Sequence, residues 1–269
     1  MTDAGDQRFE SGADKYAAYL DTAEGRLRLD LAFANLQQLL PRTKSLSALD
    51  LGCGTGAIAV RLAQQGHHVT LLDSSQSMLD LAKCSAQKAG VAEKIALKLG
   101  DARQLEFLFK SRSFDLVLCH NILEYVDEPI GVLQSAASAL RDSHSILSIV
   151  VRTQAGEVLK AAIQQGDVAA SARNLTAEWG HESLYGGKVR LFTPNSLQSM
   201  LAAASLTATA EHGIRVLSDY LPTRISREDE YENILDLERR LGARPEFAPI
   251  ARYMHCVARH AVQDTQDDK

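Results

Sequence analysis

Apolar runs alternate with amphipathic segments from Ser47 to Val151, a pattern that predicts a parallel sheet with helices on both faces. The first helices are expected over Ala57–Ala63 and Ser74–Lys88, each followed by a glycine, and Pro129 is expected to begin the last. The sequence therefore predicts an α/β fold with a doubly wound sheet. The expected strands are Ala48–Leu51, His68–Asp73, Ile95–Leu99, Ser113–His120 and Ile146–Val151.

Residues 152–190 interrupt this alternation, because about forty residues separate the fifth strand from the next well-marked helix. A connection of that length is too long for a simple loop, so we expect a lid insertion with helical turns of its own. The insertion holds the only tryptophan of the chain, Trp179, together with His181 and Tyr185. The simplest role for these three side chains is to pin the insertion to the body of the domain.

The C-terminal part of the chain predicts a helix from about Thr193 and two β-like segments, Ala208–Leu217 and Tyr253–Ala258. A polar helix rich in glutamate and arginine is expected between the two segments. Together they would complete a mostly parallel sheet with an antiparallel edge strand.

The composition fits a chain that buries a full core, with 269 residues, of which 45% are hydrophobic and 23% charged. The net charge of -5 gives no overall reason to expect a nucleic-acid or anionic-membrane partner, although a local basic patch is compatible with it. The four cysteines form no Cys-x-x-Cys pair, so we expect reduced thiols and no metal site. The polar N-terminus and the absence of an apolar run of about 20 residues predict a cytoplasmic chain without a membrane anchor.

A glycine-rich turn, Gly52-Cys53-Gly54-Thr55-Gly56, ends the first predicted strand and begins the first helix. Glycine allows backbone conformations that other residues avoid, so a ligand can lie against peptide N–H groups at the helix N-terminus. The turn therefore predicts a nucleotide cofactor. Extended to Ala57 it also matches a dinucleotide fingerprint, with Asp73 about 20 residues further on as the ribose ligand.

Acidic residues after the next two strands favour S-adenosylmethionine over a dinucleotide. This cofactor requires an acidic group after the second strand for its ribose hydroxyls, where Asp73 stands. It requires a polar contact after the third strand for its adenine edge, where Asp101 and Ala102 stand. Asp50, just before the glycine turn, can favour the cationic amino group. Further candidates for cofactor binding are Cys53, Ser74 and Met78.

Three of these candidates also have a purely structural interpretation. Asp73 can cap the helix that follows it, a role that is compatible with ribose binding. Asp101 can be an ordinary turn residue. Met78, one turn into the second helix, is most simply explained as part of the core.

The segments around these candidates resemble the successive motifs of class I S-adenosylmethionine-dependent methyltransferases. The resemblance implies a doubly wound, Rossmann-like methyltransferase sheet, S-adenosylmethionine as cofactor, and an enzyme. The segments that carry it are Asp50-Leu51-Gly52-Cys53-Gly54-Thr55-Gly56, Leu71-Leu72-Asp73-Ser74-Ser75-Gln76-Ser77-Met78 and Gly100-Asp101-Ala102.

Other segments resemble one subfamily, the bacterial tRNA 5-carboxymethoxyuridine methyltransferases, which esterify a carboxylate on a wobble uridine. This resemblance covers most of the chain, weakens between Val151 and Lys188, and implies tRNA as the methyl acceptor. It also implies that Arg28 reaches the methionine carboxylate of the cofactor and that His120 lies beside the cofactor. Arg26 is expected to stay in solvent. The segments are residues 25–28, 119–126, 213–221 and 251–259.

The chemistry of methyl transfer distinguishes between classes of acceptor. A carboxylate with a pKa of about 4 is already ionised at neutral pH, so its methylation requires orientation and desolvation rather than a base. A hydroxyl acceptor would instead require a general base, for which His120 is the candidate. The catalytic residues are otherwise unassigned, and Arg152, Arg215 and Arg252 are candidates to orient the acceptor, each also compatible with a surface ion pair.

The leading hypothesis is thus a methyltransferase acting on tRNA, with no membrane or metal partner. A small-molecule O- or N-methyltransferase, a non-catalytic S-adenosylmethionine-binding protein and a nicotinamide dehydrogenase are the alternatives. A single methyltransferase domain is expected over 1–269. Its parts are an N-terminal helical cover over 1–45, a cofactor-binding half over 46–151, the lid over 152–190, the C-terminal part of the sheet over 191–260 and a polar tail over 261–269.

Overall fold

Seven strands form one sheet in the computed structural model, which describes residues 4–41 and 44–261. The described residues form nine strands in all: β1 Ser47–Leu51, β2 His68–Asp73, β3 Ile95–Leu99, β4 Leu116–His120, β5 Ile146–Arg152, β6 Trp179–Glu182, β7 Gly187–Arg190, β8 Leu206–Ile214 and β9 Tyr253–His260. The sheet has the order β3-β2-β1-β4-β5-β9-β8, and β6 and β7 form a separate hairpin.

Helices cover both faces of this sheet and connect its strands. They are α1 Ala4–Leu20, α2 Ala23–Gln37, α3 Ala57–Gln64, α4 Gln76–Lys88, α5 Leu105–Leu108, α6 Pro129–Ala139, α7 Gln154–Leu159, α8 Val168–Asn174, α9 Pro194–Ala203 and α10 Tyr231–Gly242. Among the described residues, no helix combines the length and the apolar character that crossing a membrane requires. Apart from Ala261, the predicted polar tail lies outside the described residues.

The first five strands of the sheet run parallel, as their apolar runs predict. Central strands β1, β4 and β5 are buried almost throughout, whereas β3 at the edge is largely exposed. Because the carboxyl ends of parallel strands meet at one edge of a sheet, Asp50, Asp73 and His120 come to lie along the same edge. The predicted doubly wound, mostly parallel sheet is confirmed.

Strands β8 and β9 complete the sheet through antiparallel pairing. β9 pairs antiparallel with both β5 and β8, so β8 is the outermost strand. The register places Tyr253 opposite Arg152. β8 ends earlier than predicted, before Arg215, whose φ of 59° is incompatible with a continuing strand.

The N-terminal part forms two helices. The hydroxyl of Thr22 caps α2 by accepting a hydrogen bond from Gly25 N at 3.1 Å. Leu27, Leu31 and Leu36 of α2 are fully buried. Arg26, expected in solvent, instead forms an ion pair with Glu228, although its side chain remains partly exposed.

Residues 152–190 contain the helical turns that their sequence predicts, in α7, a π-helical turn over Lys160–Gln164, and α8. The sequence did not predict the hairpin of β6 and β7 that follows. Its strands are only four residues long and mostly polar, and the signal that marks its turn is the pair Gly186-Gly187, both with positive φ.

A buried carboxylate holds the segment that follows β8. Glu238 of α10 is 1% exposed and accepts hydrogen bonds from the backbone N–H groups of Val216 at 2.6 Å, Leu217 at 2.9 Å and Ser218 at 2.5 Å. Each of these N–H groups would otherwise be left without a partner in a buried loop.

Glu238→Ala is therefore expected to lower the free energy of unfolding by about 3 kcal/mol, because three buried donors lose a charged acceptor. The exposed residue Glu232 of the same helix provides the control, and Glu232→Ala is expected to cost less than about 0.5 kcal/mol. Thermal and urea unfolding measure both. Equal stabilities of the two variants would contradict this assignment.

Candidate active site

A deep crevice opens at the carboxyl ends of the parallel strands, where the strand order reverses between β1 and β4. Open α/β sheets bind their ligands at this position. The cavity measures about 970 Å³, which leaves room for a cofactor and part of a second molecule. Nine of the twelve predicted cofactor-binding residues line it: Arg28, Gly52, Gly54, Asp73, Ser74, Met78, Asp101, Ala102 and His120.

The glycine turn forms one wall of the crevice. Gly52 and Gly54 have φ values of 62° and 52°, in the left-handed region that favours glycine. A Cβ atom on Gly52 would lie 2.8 Å from Ile122 Cδ1, and one on Gly54 would lie 3.0 Å from Tyr16 Cε1. The turn is thus a cradle that any larger residue would fill, as close approach of a ligand to the backbone requires.

The other three predicted residues lie behind this wall. Asp50 and Cys53 line a small adjoining cavity of about 40 Å³. Gly56 is described by the structure but lines neither cavity. Burial raises the pKa of Asp50 to about 8, and the charge of Asp73 contributes in the same direction. A positive charge bound nearby would favour the ionised form of Asp50.

Asp73, at the end of β2, joins the glycine turn to the start of α4. Its Oδ2 accepts a hydrogen bond from Gly54 N at 2.8 Å, and its Oδ1 accepts one from Ser75 N at 3.0 Å. The N-cap of α4 is Ser75, whose hydroxyl accepts from Met78 N, so the alternative that Asp73 itself is the cap was wrong. Burial raises the pKa of Asp73, while the backbone N–H groups oppose that shift.

Asp101 and Met78 reach the cavity from the neighbouring elements. Asp101 caps a short 3-10 turn by accepting a hydrogen bond from Arg103 N at 2.8 Å, so a turn role and a position in the cavity wall coexist. Met78 is almost fully buried yet also contributes to the wall. In the part of the chain that the structure describes, no three His, Cys, Asp or Glu side chains are grouped to hold a metal ion.

Arg28 enters the crevice from α2 and is only 7% exposed, which excludes the role of a solvated helical arginine. Its Nη2 donates a hydrogen bond to the Tyr16 hydroxyl at 2.9 Å. Its guanidinium carbon lies 5.6, 5.1 and 5.7 Å from the ring centroids of Tyr16, Tyr19 and Tyr253. The described residues offer Arg28 no carboxylate partner, so its charge is available to an anion in the crevice.

His120 ends β4 and belongs to a buried chain of hydrogen bonds. Its Nε2 lies 2.8 Å from Ser148 Oγ, which lies 2.9 Å from His255 Nε2. Burial lowers the pKa of His120 to about 3, and the charge of Arg28 adds to this effect. At neutral pH the imidazole is therefore uncharged and a very weak base, which disfavours it as a general base.

The three arginines expected to orient an acceptor, Arg152, Arg215 and Arg252, line the same cavity and are largely buried. Nη1 of Arg152 and Nη1 of Arg252 lie 3.2 Å and 2.8 Å from Glu157 Oε1. Arg215 Nε donates to Asp219 Oδ1 at 2.7 Å, and Arg252 Nε lies 3.9 Å from Asp219 Oδ2. Two carboxylates are thus shared among three guanidinium groups, which are not surface ion pairs.

Tyr253, the first residue of β9, lies among these cations. Its ring centroid is 5.7, 5.9 and 5.8 Å from the guanidinium carbons of Arg28, Arg152 and Arg215. Burial by itself would raise the pKa of Tyr253. The charges of these arginines and of Arg252 outweigh burial and lower its pKa to about 7. This part of the crevice therefore stabilises negative charge.

Aromatic side chains cover the crevice. Phe9 of α1 lies 5.1 Å from Tyr125, which follows β4, and 5.1 Å from Tyr185 in the hairpin turn, measured between ring centroids. A Cβ atom on Gly12 of α1 would lie 2.5 Å from Tyr185 Cδ1, so only glycine permits this approach. The N-terminal helix and the insertion thus meet above the cavity through Tyr185.

Comparison with known proteins identifies the class of enzyme. A family model described as a methyltransferase domain matches residues 48–143. The chain is an S-adenosylmethionine-dependent methyltransferase. It is 28% identical over 264 residues to the tRNA 5-carboxymethoxyuridine methyltransferase of Escherichia coli K12, covering 94% of this chain and 96% of that protein. The dinucleotide interpretation of the glycine turn was therefore wrong.

Solved structures share the fold of this methyltransferase at low identity. A Burkholderia thailandensis 1,6-didemethyltoxoflavin N1-methyltransferase with bound S-adenosylhomocysteine is 18% identical, with a TM-score of 0.61 over 96% of this chain and 89% of that one. A Thermotoga maritima S-adenosylmethionine-dependent methyltransferase, a possible histamine N-methyltransferase, is 16% identical, with a TM-score of 0.61 over 94% and 98%. At these identities the likeness concerns the fold alone.

The residues that sequence reasoning missed in the methyltransferase crevice are mainly tyrosines and carboxylates. Tyr125, Asp219 and Tyr253 stand in the segments that resemble the tRNA methyltransferases, which was the available signal. Tyr16 and Glu157 lie outside them. Tyr16 reaches the crevice through the packing of α1, and Glu157 of α7 forms ion pairs with two arginines that line it.

Asp73→Asn is expected to weaken binding of S-adenosylhomocysteine roughly tenfold or more, because a charged acceptor for the ribose and for the glycine turn is lost. Isothermal titration calorimetry measures the dissociation constant. Asp80→Asn, on the exposed side of α4, is the matched control and should leave it unchanged. A Kd for Asp73→Asn within about twofold of the unsubstituted protein would contradict the assignment.

Proposed function

We propose that this methyltransferase esterifies a carboxylate, that of 5-carboxymethoxyuridine at the wobble position of tRNA. In this proposal the glycine turn, Asp73 and Asp101 hold the cofactor, with Asp50 behind the turn. Arg28 binds the methionine carboxylate of the cofactor, and Arg152, Arg215 and Arg252 orient the acceptor.

The observation that carries the proposal is an excess of buried positive charge. The guanidinium groups of Arg28, Arg152 and Arg215 surround the Tyr253 ring. Arg252 belongs to the same cluster, whose ion-pair partners are Glu157 and Asp219. Buried charges that lack partners are costly, so this cluster favours binding of anions. Two carboxylates, one on the cofactor and one on the acceptor, would supply further negative charge to this cluster.

The cofactor fits the other end of the crevice. Bound S-adenosylmethionine supplies a methyl group on a positively charged sulfur, which an ionised carboxylate can take without prior deprotonation. The cradle at Gly52 and Gly54 admits a ligand against the backbone, and Asp73 presents a carboxylate beside it. The residues of the chain then need only to hold the acceptor oxygen in line and exclude water.

The surroundings of His120 agree with a reaction that needs no base. Because burial holds its pKa at about 3, His120 cannot take a proton from a hydroxyl acceptor at neutral pH with useful efficiency. A carboxylate acceptor makes no such demand. His120 is instead suited to hydrogen bonding beside the cofactor, oriented by Ser148.

The relative from Escherichia coli supports the choice of acceptor, since the similarity extends over almost the full length of both proteins. It includes the segments that contribute Arg28, Arg215, Arg252 and Tyr253. A shared cofactor-binding half alone would not produce a match of this extent. The aligned length thus includes these residues of the acceptor end, although the resemblance weakens between Val151 and Lys188.

Deletion of the gene is expected to make 5-carboxymethoxyuridine accumulate in tRNA and its methyl ester disappear. Mass spectrometry of tRNA nucleosides measures both, and the purified enzyme should restore the ester when S-adenosylmethionine is added.

Arg152→Gln should lower this methylation activity at least tenfold, as expected for loss of a charge-assisted contact. Arg239→Gln, an exposed change on α10, is the control. Unchanged nucleosides, or turnover only with a small acid, would refute the tRNA assignment.

The affinity for the acceptor is expected to fall above a pH of about 7. Tyr253 becomes anionic there, and it then competes with the acceptor carboxylate for the arginines. Binding of the acceptor would require Tyr253 to take up a proton, so the KM should rise toward tenfold per pH unit. Tyr253→Phe should give a KM without this rise, whereas Tyr231→Phe, outside the crevice, should retain it. A pH-independent KM of the unsubstituted enzyme would contradict the role of Tyr253.

A further inference from the structure

The hairpin of β6 and β7 has one face that is turned away from the protein. Residues directly opposite in an antiparallel pair lie on the same face, and successive residues alternate between faces. Trp179 is opposite Arg190, and His181 is opposite Lys188. These four side chains therefore share one face, which we call the outer face of the hairpin.

The other face of the hairpin packs on the body of the protein. Val189 is fully buried, and Glu182 is 5% exposed. A Cβ atom on Gly180 would lie 3.1 Å from Leu191 Cδ2, which shows how closely this face is packed. By contrast, Trp179, with 41% of its surface exposed, is one of the large apolar side chains left accessible. The outer face is thus held rigidly and is open to a partner.

Arg190 and Trp179 form a stacked pair on this face. The guanidinium carbon of Arg190 lies 4.5 Å from the Trp179 ring centroid. Arg190 N donates to the carbonyl of Glu124 at 2.9 Å, and its Nη2 donates to the carbonyl of Asp127 at 3.3 Å. Asp127 belongs to the wall of the crevice, so the pair is anchored to the active site.

The turn at one end of the hairpin reaches the mouth of the crevice. Residues 183–186, which form the turn of the hairpin, line the cavity together with Glu182. A strand covers about 3.3 Å per residue, so Trp179 lies roughly 10 Å from Glu182 along the hairpin. This distance corresponds to one or two nucleotides of an extended single strand.

The chemistry of the outer face suits an anionic chain with aromatic rings. Within the described part of the chain, neither Lys188 nor Arg190 has a carboxylate partner, although the protein as a whole has a net charge of -5. His181 adds a third polar, nitrogen-bearing side chain. Single-stranded nucleic acids are bound by such combinations, in which aromatic rings stack on bases and cations contact phosphates.

We propose that the outer face of the hairpin binds the RNA strand next to the nucleotide that is methylated. Trp179 stacks on a neighbouring base, and Lys188 and Arg190 contact the phosphates that follow. The inference rests on the proposed tRNA function and adds the surface by which this RNA is held.

The single tryptophan makes the proposal directly measurable. With the enzyme saturated by S-adenosylhomocysteine, titration with an anticodon stem-loop carrying 5-carboxymethoxyuridine should quench Trp179 fluorescence. The midpoint should coincide with the Kd obtained independently by fluorescence anisotropy of a labelled stem-loop. Binding detected by anisotropy without any change in tryptophan emission would overturn the proposal.

Variants provide the second measurement. Trp179→Ala should raise the Kd for the stem-loop roughly tenfold, and Trp179→Phe, which retains a ring, less than about threefold. Lys188→Gln should lower the slope of log Kd against log salt concentration by about 1. Lys98→Gln, an exposed change on β3, is the matched control and should alter neither quantity. Calorimetry with S-adenosylhomocysteine verifies that each variant is folded.

The outcomes separate this inference from the function on which it rests. If tRNA is methylated but Trp179→Ala and Lys188→Gln bind the stem-loop as the unsubstituted enzyme does, the proposed surface is wrong and the function stands. If tRNA is neither bound nor methylated, the proposed function fails. Methylation of tRNA with KM raised by Trp179→Ala, and kcat changed by less than about twofold, supports both.

Discussion

Four buried guanidinium groups, three of them 5.7 to 5.9 Å from the ring centroid of Tyr253, impose the strongest constraint on this methyltransferase. Like charges brought together away from water are costly, so each must find compensation. Glu157 and Asp219 supply part of it, and the faces of the surrounding tyrosines supply more. The groups come from α2, from the end of β5, and from the segments that follow β8 and precede β9. The site therefore exists only when the antiparallel end of the sheet and the N-terminal helices are in place.

The two ends of the crevice carry side chains of opposite charge. Asp50 and Asp73 stand at the glycine turn, and the arginine cluster stands at the end of the crevice where the acceptor is proposed to bind. The pKa of Asp50 is raised to about 8, which favours its neutral form beside the carboxylate of Asp73. The pKa of Tyr253 is lowered to about 7, which favours its anionic form beside the arginines. A cofactor that carries both a cationic sulfur and a carboxylate, followed by an anionic acceptor, matches this order of charges.

The two halves of the chain divide the tasks of binding. Most of the residues proposed to bind the cofactor follow the parallel strands, and solved methyltransferases with 16% to 18% identity share this fold. The residues proposed to contact the acceptor lie in residues 152–190, in the segment after β8 and just before β9. Tyr185 of the hairpin closes on α1, while Trp179 faces outward. One short hairpin thus covers the crevice on one side and leaves an exposed face on the other.

The amino-acid sequence by itself determined the parallel sheet, the glycine turn and the acidic residues at the strand ends. Each depends on local periodicity or on spacing within a few tens of residues, which sequence patterns preserve. Only the tertiary structure decided that Tyr253 lies among Arg28, Arg152 and Arg215, and that Glu157 is shared by two arginines. The outer face of the hairpin was equally hidden, since its strands are too short and polar to show a pattern. Such features depend on contacts between segments that are distant in the sequence. The charges on these segments interact strongly only when folding brings them together and removes them from water.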